Sequence, residues 1–360
     1  MVKKLLKSIL IIIISLILIT AIYVVYVLAT YSRIEDNQAL TITGEAAEES
    51  AKVNQTYRMV SANLGFGAYS DDFSFFMDGG TESWAFSKEA VNDNITGSVD
   101  VILENNPDFI VLQEVDIDST RSYHVDEQQL ILDLMNEKSD TATNSVFAIN
   151  FDSPFLMYPI TQPHGKSVAG LLTISPVTIT DAIRRSLPIE DGWSKFMDLD
   201  RCYSKSTVEV ENGKKLVIYN VHLSAYTTNP ETADNQVKIL NADMAEEFAA
   251  GNYIIAGGDM NKDVLGDSSV YFGTSSEENW AQPFKEAFLD ESFKVVKPIN
   301  ESHPVPSCRN ADSIYNENSF VITIDGFIVS SNVEVEGSDV IDSGFKYSDH
   351  NPIYMDFILK

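Results

Sequence analysis

The sequence predicts a mixed α/β sandwich preceded by one membrane-spanning helix. Three observations carry that expectation: an uncharged apolar run at the N-terminus, short β-branched runs bounded by turn residues after it, and two stretches of helical periodicity among them.

Residues 1–31 place Lys3, Lys4 and Lys7 ahead of an uncharged run from Ile9 to about Ala29. At about 1.5 Å per residue, such a run crosses the ~30 Å hydrocarbon core of a bilayer. A cleaved signal peptide has an apolar region of about 7–15 residues, so an uncleaved signal anchor is expected; cleavage after Val27-Leu28-Ala29 stays open. The lysines predict a cytoplasmic N-terminus with the rest of the chain outside the cell. Residues 32–56 are polar, acidic and without sustained periodicity, which predicts an exposed stalk. Residues 57–360 contain no low-complexity break and are expected to form one large α/β domain.

Charge limits the partners. The three charged residues of 1–31 are all lysines, so the remainder carries 22 basic against 53 acidic residues, a net of −31. A field of that sign repels polyanions and counts against nucleic-acid binding through a broad basic face. A local basic groove around Arg184, Arg185, Lys195, Arg201 and Lys205 stays open beside the reading of these residues as ordinary surface. Cys202 and Cys308 are too few for a disulfide framework or a zinc site, although a single bridge between them is open in an extracellular domain.

Runs that read as strands are 57–62, 109–112, 168–174, 207–210, 216–219, 253–256, 320–324 and 353–359. Several alternate too little to leave one face wet, so sheets covered on both sides are expected. Asn212-Gly213 marks a hairpin between two of them. Val237, Leu240, Met244 and Phe248 share one helical face, with Gly251 as a C-terminal cap. A second helix is expected over 87–104, with Val91, Ile95, Val99, Ile102 and Leu103 facing inward.

Polar residues then fall at strand ends. Asn63 and Glu114 end the first two runs, His222 follows another in NVHLS, and Asp259 and Asn261 follow in GGDMN. Asp325 closes VITID, and Asp349-His350 precedes the last run in YSDHNPI. Each alone fits a cap or turn. Six strand ends supplying carboxylates, amides and imidazoles together point to a site, because rigid elements can aim short side chains at one place. Carboxylate and amide oxygens suit a hard cation, Mg²⁺ or Mn²⁺ rather than zinc, and added imidazoles suit phosphoester hydrolysis.

Taken in order, LQE, the histidine of NVHLS, GDMN, a late aspartate beside a strand and SDH resemble the endonuclease/exonuclease/phosphatase superfamily, which includes deoxyribonucleases, apurinic endonucleases and neutral sphingomyelinases. The resemblance spans 57–360 and implies a four-layer α/β sandwich with two central mixed β-sheets flanked by helices. It implies that Asn63 and Glu114 hold the metal with Asp349 near it. Asp259 and Asn261 would orient and deprotonate the attacking water, and Asp325 would fix the tautomer of a phosphate-facing His350. His222 would contact the phosphate or leaving group, as in the deoxyribonuclease and sphingomyelinase branches; apurinic endonucleases carry tyrosine there. Whether Asp259 or His350 is the general base stays open.

The implied substrate is a phosphoester. An extracellular, membrane-tethered nuclease or phosphodiesterase leads, a sphingomyelinase-like headgroup hydrolase or phosphomonoesterase is the alternative, and a non-catalytic interaction module comes last. The aromatic stretch 68–84, with Phe73, Phe75, Phe76 and Met77, reads as satellite core or as a lid; 151–165, with His164, poses the same choice.

Overall fold

In the strand Thr56–Asn63, Met59 belongs to one apolar cluster and its neighbour Val60 to another. Successive side chains of a strand point to opposite faces, so a run that is apolar throughout must be covered on both. The computed structural model describes residues 2–196, 199–225, 229–274 and 280–360.

Two seven-stranded mixed sheets form the centre. The first runs β1 (Gln38–Ala39), β7 (Ile179–Ser186), β8 (Cys202–Glu209), β9 (Lys215–His222), β10 (Tyr253–Asp259), β14 (Asp325–Ser330) and β11 (Phe293–Val296). The second runs β15 (Val333–Val340), β16 (Ile353–Leu359), β3 (Thr56–Asn63), β4 (Phe109–Asp116), β6 (Gly165–Ser175), β5 (Asn144–Leu156) and β2 (Ile42–Gly44). A small ladder pairs β12 (Cys308–Arg309) with β13 (Val321–Ile322). Between the large sheets lie Met59, Val111, Ile218, Ile255, Phe327 and Met355.

Helices cover the outer faces. α2 (Lys88–Glu104), capped by the Ser87 hydroxyl accepting from Ala90 N–H, buries Val91, Ile95, Val99 and Ile102 against Val60 and Leu112. α3 (Glu127–Lys138) joins that layer through Ile131. α4 (Pro230–Ala249), capped by Asn229, lays Val237, Leu240 and Met244 on Val217 and Ile254. This is the expected four-layer sandwich. α1 (Val2–Thr30) is long and apolar enough to cross a membrane, and none of its most apolar window is buried.

Four expectations are corrected. Residues 32–56 are not a free stalk: β1 adds to β7 and β2 to β5, and Ala51 is fully buried, so main-chain pairing draws this polar segment onto both sheet edges. The run 320–324 is not a sheet strand; only Val321–Ile322 pair, in the small ladder, and Asp325 opens β14 rather than closing a strand. Cys202 and Cys308 are free thiols buried in separate clusters. The proposed basic groove is not present as an open cationic surface. Arg184 is fully buried on carbonyls of Ile149 and Asp200, and Arg185 and Lys205 both pair with Asp243 at 2.7 Å. Lys195 lies over Tyr31 and Phe196, and Arg201 donates to the Leu223 carbonyl.

Candidate active site

Register brings the polar residues together. In the first sheet Asp259 is paired with His222 on one side and Asp325 on the other, so three neighbouring strands place these residues in one row. In the second sheet Asn63 pairs with Gln113, leaving Glu114 one residue beyond. A β-bulge between Leu112 and Val115 holds Glu114 at φ +53°, a left-handed conformation costly for a glutamate. Bulges re-aim side chains, and this one sends Glu114 into the cleft. The SDH segment arrives through β16, whose Ile353 pairs with Ser61. Gly258, at φ +148°, lets β10 approach β9 here; a Cβ would collide with the Val221 carbonyl oxygen.

A cleft of about 400 Å³ is lined by Glu114, His222, Asp259, Asn261, Asp349 and His350, with Phe66, Tyr69, Phe75 and Phe151 among its walls. Asn63 and Asp325 stand behind that lining. Asp259 Oδ1 accepts from Asn261 N–H at 2.8 Å, and Oδ2 accepts from Asn63 Nδ2 at 3.2 Å. Oδ2 also faces His222 Nε2 at 3.5 Å and His350 Nε2 at 3.9 Å. Burial, with Asp325 and Glu114 nearby, pushes the Asp259 carboxyl up to about 7 despite His350 and the Asn261 N–H. Burial likewise raises Asp349 to about 6.

The two imidazoles differ in charge. Burial opposes protonation of His350, but Asp325, whose Oδ2 lies 2.8 Å from Nδ1, together with Cys308 holds the pKa well above the usual histidine value. His222 is held far below that value by burial, then by Arg201 and His350, so it is neutral. Its Nε2 faces the carboxylates of Asp259 and Glu114, which assigns the proton to Nε2; among the described residues, buried Nδ1 has no hydrogen-bond partner.

Asn63 turns its amide nitrogen toward the carboxylates of the cleft. Its Oδ1 accepts from Gly65 N–H at 3.0 Å, and Nδ2 donates to Glu114 Oε1 and Asp259 Oδ2, both at 3.2 Å. It thus places an amide donor between two carboxylates. The donor set fits a hard divalent ion. Asp325 and Asp259 face protonated His350 while Glu114 and Asp349 line the same cleft, and Asp325 Oδ1 is buried with no partner among the described residues. Asp259, Asp325 and His350 offer ligand atoms within 4.8 Å of one another, yet a protonated imidazole on Asp325 is an ion pair rather than a ligand.

Supporting residues went unread in the sequence. Ser307 Oγ donates to Asp325 Oδ2 at 2.7 Å, and Ser348 Oγ donates to the Asn63 carbonyl at 2.8 Å. Gln113 Nε2 donates to Asn220 Oδ1 at 2.8 Å, joining the two sheets behind the site. Asn220 carried a signal: two residues before His222, it shares that strand face. Ser307 carried none, since it reaches Asp325 only through tertiary contact. Phe73 and Phe75 are buried in the cluster that includes the inner face of α2, whereas Met77 is exposed; Phe75, Met77 and His164 line the cleft.

No protein-family model matches the chain, and no curated protein matches its sequence. Solved structures do. An endonuclease/exonuclease/phosphatase from Beutenbergia cavernae superposes with TM-score 0.54 at 17% identity, covering 85% of this chain and 72% of that one. Its counterpart from Bacteroides vulgatus gives 0.52 at 15%, covering 85% and 100%. ANGEL2, a 2′,3′-cyclic phosphatase in complex with adenosine-2′,3′-vanadate, gives 0.55 at 12%, covering 89% and 99%. With two mixed sheets packed over one shared apolar layer, this chain has the endonuclease/exonuclease/phosphatase fold.

Proposed function

We propose that the chain is a divalent-metal-dependent phosphoester hydrolase, tethered by α1 with residues 32–360 outside the cell. The observation that carries the reading is the row His222, Asp259, Asp325 on one sheet, facing Glu114 from the other across one cleft. The topology rests on Lys3, Lys4 and Lys7 flanking the apolar helix.

Glu114 and Asp349 would hold Mg²⁺ or Mn²⁺, with Asn63 fixing Glu114. Such an ion supplies charge neutralisation at a phosphate oxygen and acidifies a bound water. The chain's own residues do the rest. Asp259, raised to about 7, is ionised in good part at neutral pH yet basic enough to take a proton from the attacking water. Asn261 holds it through Asp259 Oδ1. As the water oxygen bonds to phosphorus and the ester P–O bond breaks, the protonated His350 steadies a phosphate oxygen, its ring fixed by Asp325. His222, with its proton on Nε2, donates to the phosphate or the leaving oxygen.

A phosphodiesterase without a broad polynucleotide groove fits best, because the five candidate basic residues are buried or engaged rather than free. That observation also favours a second reading, a phospholipid headgroup hydrolase. A panel of linear DNA, RNA, sphingomyelin, bis(para-nitrophenyl) phosphate and a phosphomonoester, with Mg²⁺ or Mn²⁺ and Asp259→Ala as the blank, tests both. Equal turnover of the best substrate by wild type and Asp259→Ala refutes the mechanism.

A further inference from the structure

The end of β5 and the turn leading to β6 carry large apolar side chains that the domain leaves uncovered. Phe155 is 42% exposed, Met157 49%, Tyr158 59% and Ile160 85%. Unlike scattered surface hydrophobics, these are nearly consecutive and lie against the membrane-spanning helix. Tyr23 Oη donates to the Phe155 carbonyl at 3.3 Å and accepts from Met157 N–H at 2.9 Å; Tyr26 Oη accepts from Phe155 N–H at 3.2 Å.

Those contacts set a depth. No charge separates Lys7 from Arg33, and a ~30 Å core takes about 20 helical residues. Centred between the two charges, the core ends near Thr30, which puts Tyr26 and Tyr23 about 6 and 10 Å inside its outer boundary at the helical rise. A segment hydrogen-bonded to both tyrosines sits at that level. Backbone groups cannot stay unpaired there, and the two hydroxyls satisfy three of them. Apolar side chains buried about 5–10 Å at the headgroup boundary are what an interfacial anchor requires.

We propose that residues 155–160 form a second membrane contact, seated in the outer bilayer interface beside α1. The segment backs onto the cleft rim: the Tyr158 ring packs on Phe76 with centroids 5.7 Å apart, and His164 N–H donates to the Tyr158 carbonyl. Since Phe75, Met77 and His164 line the cleft, its mouth lies at the bilayer surface. On the hydrolase reading above, and resting on it, the favoured substrates are phosphoesters displayed at that surface.

The test uses the full-length chain in phosphatidylcholine vesicles, chosen because the acidic domain disfavours anionic lipid. Ile160→Cys and, at a hairpin tip far from the cleft, Lys214→Cys each carry an environment-sensitive fluorophore, and lipids spin-labelled just below the headgroup act as quencher. Quenching of the label at 160 by about twofold, with the label at 214 unaffected, is expected of an interfacial segment. Equal quenching at the two sites overturns the proposal. Turnover of soluble bis(para-nitrophenyl) phosphate is followed in the same samples: turnover without quenching at 160 removes the membrane contact and leaves the hydrolase, whereas quenching without turnover keeps the contact and removes the hydrolase.

Discussion

Asp325 Oδ2 lies 2.8 Å from His350 Nδ1, and that pairing crosses from the first sheet to the segment entering the second. It leaves the adjacent Asp349 free for a different task. The two residues of the DH dipeptide thus line one cleft with different partners.

If Asp325 acts only by charging and orienting the imidazole, the two residues form one functional unit. Asp325→Asn and His350→Gln should each lower kcat by about 10²–10³-fold with little change in KM, and the double variant should cost about as much as either alone. Additive losses in steady-state kinetics would show that they act separately.

Asp259→Asn keeps the shape of the side chain and removes the proton acceptor. A fall in kcat of about 10²–10⁴-fold is expected, with the folded state retained because a buried carboxylate has been neutralised. Kinetics and far-ultraviolet circular dichroism on the same preparation check both halves.

Glu114→Gln leaves the bulge and hydrogen bonding to Asn63 in place but halves the anionic oxygen offered by the pair Glu114 and Asp349. The Mg²⁺ concentration for half-maximal activity should rise about 10–100-fold, and calorimetric Mg²⁺ binding should weaken in parallel; Asn63→Ala should do the same more mildly. An unchanged metal requirement would place the ion elsewhere.

His164 is buried against Ser83 and the Phe75 and Phe76 rings, and burial, aided by Arg121, lowers its pKa to about 3. Unfolding frees it to bind a proton near pH 6.5, so the stability it contributes is intact above that pH and is lost progressively as pH falls toward 3. Asp259 and Asp349, raised by burial, titrate in the opposite sense, so the comparison must be with His164→Phe. Between about pH 8 and pH 5, wild type should lose about 2 kcal/mol more than His164→Phe in urea unfolding.

Several elements were legible because their cause is local. The apolar spacing of α2, the α4 stripe from Val237 to Phe248, and the two-sided apolar strands need only neighbours in the chain to be recognised. β5, β7, β15 and α3 were not, since their runs mix polar and apolar residues and owe their state to partner strands and packing. The same holds for the segment 32–56: nothing in its composition says strand, but two open sheet edges supply hydrogen-bond partners.

The sequence by itself determined the chemistry available: which strand ends carry carboxylates, amides and imidazoles, and that an apolar helix precedes them. Tertiary structure decided how each is placed. Register put Asp259 between His222 and Asp325, a hydrogen bond to Gly65 turned the Asn63 oxygen away from Glu114, and buried partners absorbed the arginines that suggested a groove. Residue type is a local property, whereas charge state, orientation and exposure depend on groups hundreds of residues away brought within a few ångströms. That is why the candidate residues could be listed from the chain but their arrangement seen only in the fold.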